Sequence, residues 1–329
     1  MTARRILFAL SAISIATVAM AGCASPTTVA SISPTPSPIA TGPLTVDNCG
    51  TSVTFATPPQ RVVTIKSTST EMLLALGLGK RIVGEAFQDG PVPDQWGYAS
   101  LGIPVLAEKV PSEEVVLGAT PDLVYAGWES AFAADQAGDR ADLAKLGVAT
   151  YVSPSACQSH NQPKKLTFDN IFSDISEVAA IFQVDPSSVI ADQKKKLSAV
   201  PEIGDGRTAF WYSSGSDTPY AGAGIGAPEL IMETVGLKNI AADVDATWAP
   251  YNWEAVVDAD PSVIVLVDAS WSTAAKKMGI LESNPATANL TAVINHRYII
   301  LPFPTTEAGV RTVDAAADVA KQLAALDAP

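Results

Sequence analysis

Short β-branched runs that alternate with helix-periodic segments predict an α/β protein: two similar lobes with largely parallel sheets, joined by a long helix. Three observations carry this. Runs such as Arg61-Val62-Val63-Thr64-Ile65 lead directly into hydroxyl-rich, helix-forming stretches. One long helix-periodic stretch, 166–200, interrupts the alternation near the middle. A pattern recurs on both sides of that stretch: Glu114 precedes Pro121-Asp122-Leu123-Val124 at the spacing by which Glu254 precedes Pro261-Ser262-Val263-Ile264-Val265.

The chain opens with Arg4-Arg5, an apolar run from Ile6 to Ala19, and Met20-Ala21-Gly22-Cys23. A basic start, a short apolar core and small residues before a break point read as a secretory signal over 1–22. The apolar core is too short for a membrane-spanning helix. A cysteine directly after Ala-Gly resembles the bacterial lipobox, in which Cys23 becomes the first mature residue and carries lipid. The expectation is a protein anchored by lipid to the cell membrane on its extracytoplasmic face. Residues 23–45 are Ser-, Thr-, Pro- and Ala-rich with almost no charge, which predicts a disordered tether.

In the body, Arg61–Ile65 reads as a buried strand. Ser67-Thr68-Ser69-Thr70 reads as a capping cluster for a helix through Leu76, closed by Gly77. Arg81–Gly84, Pro121–Gly127 and Val148–Val152 read as strands, and Asp139–Leu146 as a helix closed by Gly147. In 166–200, Ile171, Ile175, Val178, Ala179 and Phe182 recur at helical spacing, with Pro186 as a possible interruption. Strands then resume at Thr208–Tyr212, Ser262–Val267 and Arg297–Leu301, with helices at Ala227–Val235 and Val313–Leu326. The expected organisation is a first lobe over 46–165, an interlobe helix over 166–200 and a second lobe over 201–329.

Hydrophobic residues make up 47% of the chain, which excludes a disordered body. Against 21 basic side chains stand 34 acidic ones, and two of the basic ones, Arg4 and Arg5, fall in the signal. That balance argues against a nucleic-acid partner, which needs basic patches. With Cys23 assigned to lipid, Cys49 and Cys157 are left, and an oxidising compartment favours pairing them. A metal site built from them and His160 has too few ligands. With only His160 and His296 in the chain, no direct metal site is expected, nor any cofactor of the protein's own.

Arg61-Val62-Val63 with Thr70-Glu71-Met72-Leu73-Leu74-Ala75-Leu76-Gly77 and Arg81-Ile82-Val83-Gly84 resembles the opening of metal-chelate-type substrate-binding proteins of ABC importers. The Glu114–Val124 and Trp253–Leu266 blocks resemble that family's later landmarks in order. The resemblance runs from about Leu44 to the C-terminus. It implies two Rossmann-like lobes joined by a rigid helix (the class III periplasmic-binding-protein architecture), a monomer, and capture of an iron siderophore, haem or cobalamin for a membrane permease. Thr64–Thr68, Tyr125–Ser130, Trp211–Gly215 and Gly222–Pro228 resemble an actinobacterial subgroup assigned to the deazaflavin coenzyme precursor F(420)-0. Any iron or cobalt would arrive inside its organic chelate. The resemblance also implies that one glutamate per lobe, Glu114 and Glu254, docks onto permease arginines; the alternative is ordinary helix-surface charge.

Ligands of open α/β lobes sit beyond the carboxyl ends of the strands. Lys66, Ser67 and Thr68 lie there, where helix amides and a lysine suit an anion, or where the hydroxyls simply cap the helix. Trp128 and Glu129 follow another strand end, and Tyr212, Tyr220, Trp248 and Trp271 fall at similar places in the second lobe. Aromatic walls suit a flat conjugated ring or a chelate; core packing is the alternative, and for Trp211, inside a strand, the better one. Gly222–Gly226 allows close backbone approach to a ligand. Arg311 can hold a carboxylate or phosphate, or form a salt bridge. The rival classes are an exported hydrolase and a lipoprotein scaffold. For the first, the chain has no G-x-S-x-G elbow, no H-E-x-x-H and no P-loop, so a binding protein rather than an enzyme is expected.

Overall fold

The computed structural model describes residues 42–158, 160 and 164–328. The signal, Cys23 and nearly all of the proposed tether lie outside the described residues. The first element is a hairpin, β1 (Leu44–Asn48) with β2 (Thr51–Phe55), turned by Cys49 and Gly50, both at positive φ. Its alternating burial lays Val46, Val53 and Phe55 on the core.

The first sheet is wholly parallel. Its strands are β3 (Val62–Ile65), β4 (Ile82–Ala86), β5 (Val105–Ala107), β6 (Leu123–Ala126) and β7 (Ala149–Val152), in the order β5-β4-β3-β6-β7. Every residue of β3 and β6 is buried, as befits central strands covered on both faces. The helices are α1 (Ser67–Ala75), α2 (Asp94–Ser100), α3 (Glu113–Gly118) and α4 (Arg140–Lys145). Ser112 and Asp139 cap the last two through side-chain oxygens. The hydroxyls expected to cap α1 do not. Its N-cap is Lys66, and Ser67–Thr70 lie inside the first turn, where the Ser69 hydroxyl bonds back to the Ile65 carbonyl at 2.8 Å and Thr70 meets Thr64 at 2.7 Å.

The stretch read as one interlobe helix over 166–200 is two helices, α5 (Phe168–Phe182) and α6 (Ser187–Ser198). Gln183 takes a left-handed conformation that ends α5, and Pro186 opens α6. A Thr167–Asn170 capping box starts α5. Its buried face (Ile171, Phe172, Ile175, Val178, Ile181, Phe182) belongs to a core cluster that runs from Val46 and Leu73 to Val319 and Leu323. The two sheets are therefore tied through one continuous apolar core.

The second sheet mixes directions. Its strands are β8 (Thr208–Ser214), β9 (Tyr220–Gly222), β10 (Lys238–Asn239), β11 (Trp248–Pro250), β12 (Val263–Asp268) and β13 (Tyr298–Pro302), in the order β11-β9-β8-β12-β13, with β10 also beside β8. β8, β12 and β13 are parallel, whereas β9 and β11 add an antiparallel edge that the sequence pattern did not reveal. The helices are α7 (Ala227–Thr234), α8 (Trp253–Ala259), α9 (Ala274–Ser283), α10 (Thr291–Ile294) and α11 (Thr312–Leu326). The internal repeat is real in the fold: α3 feeds β6 and α8 feeds β12, each strand one place in from the edge of its sheet. No helix among the described residues is long and apolar enough to cross a membrane.

Candidate ligand-binding site

A cavity of about 390 Å³ opens between the two sheets. One wall is Gly127 and Trp128, just after β6, with Ser155–Gln158 after β7. The opposite wall is Tyr220 on β9, Ile225–Ala227 before and at the start of α7, Asp245–Trp248 leading into β11, and Thr306–Ala308 after β13. Three of these segments follow the carboxyl ends of parallel strands, where α/β sheets place ligands. The volume falls within the roughly 300–1,000 Å³ of small-molecule pockets.

Cys157 is part of this wall and is joined to Cys49, with Cα atoms 5.2 Å apart. The same corner is cross-linked a second time. The Asn48 amide donates to the Val152 carbonyl at 2.7 Å and accepts its N–H at 2.8 Å. The Arg140 guanidinium donates to the Asn48 carbonyl and side-chain oxygens at 2.9 Å each. Glu129 supports the wall from behind: its carboxylate accepts the N–H of Gln158 at 2.6 Å.

Trp128 is the hub of the site. Its indole N–H donates to Glu307 Oε2 at 2.6 Å, across the cleft. Its ring meets Phe87 and Phe303 edge-on, with centroids 5.8 and 6.3 Å away. Behind it, the Lys66 ammonium lies 3.7 Å from the Trp128 centroid, 4.5 Å from Phe87 and 4.8 Å from Phe303. Lys66 is fully buried and paired with Asp89, whose second oxygen and backbone N–H engage Ser67. The anion-attracting N-terminus of α1 is thus filled by the protein's own carboxylate. Lys66 and Phe87 both hold positive φ, 82° and 52°, at strand ends facing the cleft; such strain costs of order 1–3 kcal/mol per residue and is typical of functional sites. Gly127 has to be glycine, because a Cβ there would meet Lys66 Cβ at 2.8 Å and collide with the Thr68 hydroxyl.

A second cross-cleft contact is an ion pair, Arg311 Nε to Glu71 Oε2 at 3.2 Å, with Glu71 buried. Burial pushes the Glu71 carboxyl up to about 7; Arg311 opposes that rise and Asp89 adds to it. Glu307 is also buried, and its carboxyl is raised by desolvation against the lowering pull of Lys66 and the Trp128 N–H. Its second oxygen, Oε1, is buried without a hydrogen-bond partner among the described residues.

Trp128, Tyr220 and Trp248 line the cavity. Lys66, Ser67 and Thr68 do not: all three are buried, Lys66 against the rings of Trp128 and Phe303, and the Thr68 hydroxyl has no hydrogen-bond partner among the described residues. Tyr212 is core: it is fully buried in central strand β8 beside Trp253, and its hydroxyl donates to the Gly215 carbonyl. Trp211 is equally buried, and meets Trp248 at 6.4 Å. Trp271 is 55% exposed and touches Phe303 at 5.6 Å, outside the cavity lining. Arg311 is engaged by Glu71 rather than turned to the cavity. Glu307, Asp245 and Gln158 line the cavity but carry no motif that sequence reasoning could have used.

Glu114 and Glu254 occupy the same place in their lobes, in the first turns of α3 and α8. Both are exposed, and neither forms an ion pair among the described residues. No group of three or more His, Cys, Asp or Glu among the described residues is placed to hold a metal ion.

Comparison with known proteins agrees with this geometry. An uncharacterized ABC transporter substrate-binding lipoprotein of Bacillus subtilis, YvrC, is 24% identical over 299 residues, covering 85% of each chain. A periplasmic binding protein from Veillonella parvula superposes with a TM-score of 0.75 at 26% identity, covering 85% of this chain and 97% of that one. A protein described as an ABC-type Fe3+-hydroxamate transport system, from Saccharomonospora viridis, superposes with a TM-score of 0.72 at 26% identity, covering 85% and 98%. The sequence model described as "Periplasmic binding protein" matches residues 62–305, and the chain belongs to that family.

Proposed function

We propose that this chain is the lipid-anchored receptor of an ABC importer, capturing an organic chelate or conjugated cofactor between its lobes and delivering it to a permease. The observation that carries this reading is the interlobe cavity itself, with Trp128 from one sheet and Tyr220 and Trp248 from the other. Large apolar rings with a few polar groups between them suit a bulky ring or chelate. The Saccharomonospora relative's description puts a ferric hydroxamate siderophore first among candidates; cobalamin, haem and the F(420)-0 precursor follow.

Delivery runs through Glu114 and Glu254, two exposed carboxylates at equivalent places on the two lobes, each meeting a permease arginine. Lobe closure is small, because the lobes share an apolar core through α5 and are already bridged by Trp128–Glu307 and Glu71–Arg311. Cys23 supplies the anchor, as the lipoprotein description of the Bacillus relative supports.

The test is a titration of the purified chain with a ferric trihydroxamate, cobalamin, haem and the F(420)-0 precursor, followed by tryptophan fluorescence and confirmed by calorimetry. Saturable one-to-one binding of one candidate at about micromolar affinity or tighter supports the receptor reading. No binding across the panel removes the substrate assignment and leaves a scaffold lipoprotein as the better reading.

A further inference from the structure

The cavity carries charge of one sign. Asp245 and Glu307 stand among its lining residues, and no Lys, Arg or His does so among the described residues. Three nearby cations have carboxylate partners: Lys66 has Asp89, Arg311 has Glu71, and Lys165, next to the lining residue Leu166, has Glu229 and Glu233. Glu307 is the most exacting member. It is 9% exposed, one oxygen takes the Trp128 N–H, and the other is buried with no donor among the described residues. A half-satisfied buried carboxylate lowers the stability of the empty site and rewards any ligand that supplies the missing donor.

Resting on the reading of this cavity as the cargo site, we infer that it selects ligands by charge: it takes a neutral or cationic molecule bearing an amine or N–H donor that answers Glu307, and rejects anions. A cation gains from both carboxylates and from the faces of the aromatic walls. An anion would give up its hydration against two like charges, with no cationic side chain among the described lining residues to replace the water. Among the candidate cargoes, a trihydroxamate with a pendant amine fits this field best. F(420)-0, with its phosphodiester and carboxylate, fits it least.

One ferric trihydroxamate in three forms tests this without changing the chelate: ferrioxamine B with its free terminal amine, the N-acetyl derivative, and the N-succinyl derivative. These are respectively a cation, a neutral molecule and an anion. Calorimetry on the full chain is expected to rank them in that order, with the amine form about tenfold tighter than the acetyl form. Glu307→Gln keeps an acceptor for Trp128, and is expected to shrink the affinity ratio of the amine form over the acetyl form from about tenfold to within about threefold. Asp245→Asn, on an exposed loop, asks the same question should the buried variant not fold, and is expected to shrink the preference. Equal affinities, a reversed order, or a preference that survives in both variants would overturn the charge rule alone. Failure of all three forms to bind would instead bring down the hydroxamate reading on which it rests.

Discussion

Replacing both Cys49 and Cys157 by serine separates the two devices that hold the β1–β7 corner. The bridge closes a loop across a sequence separation of 108 residues. For a loop of that size, the chain-entropy relation gives an upper bound of about 5 kcal/mol, nearly all of it through the unfolded state. The folded corner keeps its second set of links, the two Asn48–Val152 hydrogen bonds and the Arg140–Asn48 pair. The double variant is therefore expected to keep a native far-UV circular dichroism spectrum in buffer, yet to lose about 3–5 kcal/mol in urea unfolding. Because Cys157 lines the cavity beside Ser155, Ala156 and Gln158, a modest loss of ligand affinity should accompany it. A loss below about 1 kcal/mol would refute the reasoning, since the unfolded chain would then already be constrained. So would a non-native spectrum without denaturant, since the polar links would then not hold the corner.

Four further outcomes are expected. Glu71 and Asp174 both have carboxyls raised to about 7, chiefly by burial, from ordinary values near 4. Each holds its proton more firmly folded than unfolded, so the stability they contribute is fully present below about pH 4 and is lost as pH rises through about 7. Thermal unfolding should accordingly show a higher midpoint at pH 5 than at pH 8, and a flat or opposite trend would contradict the burial argument. Arg311→Met strands the buried Glu71 charge and should cost about 3 kcal/mol at pH 8 in urea titrations, with part of that loss recovered at pH 5 as Glu71 takes up its proton. Gly224→Ala drives a Cβ into the backbone carbonyl of Ala242, and should lower the unfolding midpoint and disturb the loop that carries Ile225 and Gly226. Charge reversal of Glu114 and Glu254 to lysine should abolish cellular uptake with ligand affinity unchanged; an equal fall in affinity would show that these residues serve the binding site.

Much of the fold was legible because its signals are local. The β-branched runs at Val62–Ile65 and Val263–Asp268 could be little else than buried strands, and Asp139 with Gly147 bounded a helix from both ends. The β9 and β11 strands were not legible. Each is three residues long, too short for an alternation to register, yet they present Tyr220 and Trp248. At the site, strand-end position drew attention to Trp128, which lines the cavity, but could not tell a lining residue from one buried behind it. Lys66 sits at the expected strand end; its partners Asp89 and Phe303 come from other loops, and only tertiary packing reveals that its charge is already answered. Tyr212 reads as a candidate aromatic, but this central strand is covered on both faces and buries Ala209 through Ser213 in turn. Glu307 gave no signal at all, as an acid in an irregular turn after β13, although it bridges the two lobes.

The most direct test of the account is a calorimetric titration of the wild-type chain and of Trp248→Ala with a ferric trihydroxamate. Trp248 is a cavity wall contributed by the edge strand β11, and unlike Trp128 it makes no cross-cleft hydrogen bond among the described residues. Wild type is expected to bind one equivalent, and the variant to bind at least tenfold more weakly, in line with the roughly 2 kcal/mol or more that a central aromatic wall contributes. Equal affinity in the two proteins would place the ligand somewhere other than this cavity and contradict the account.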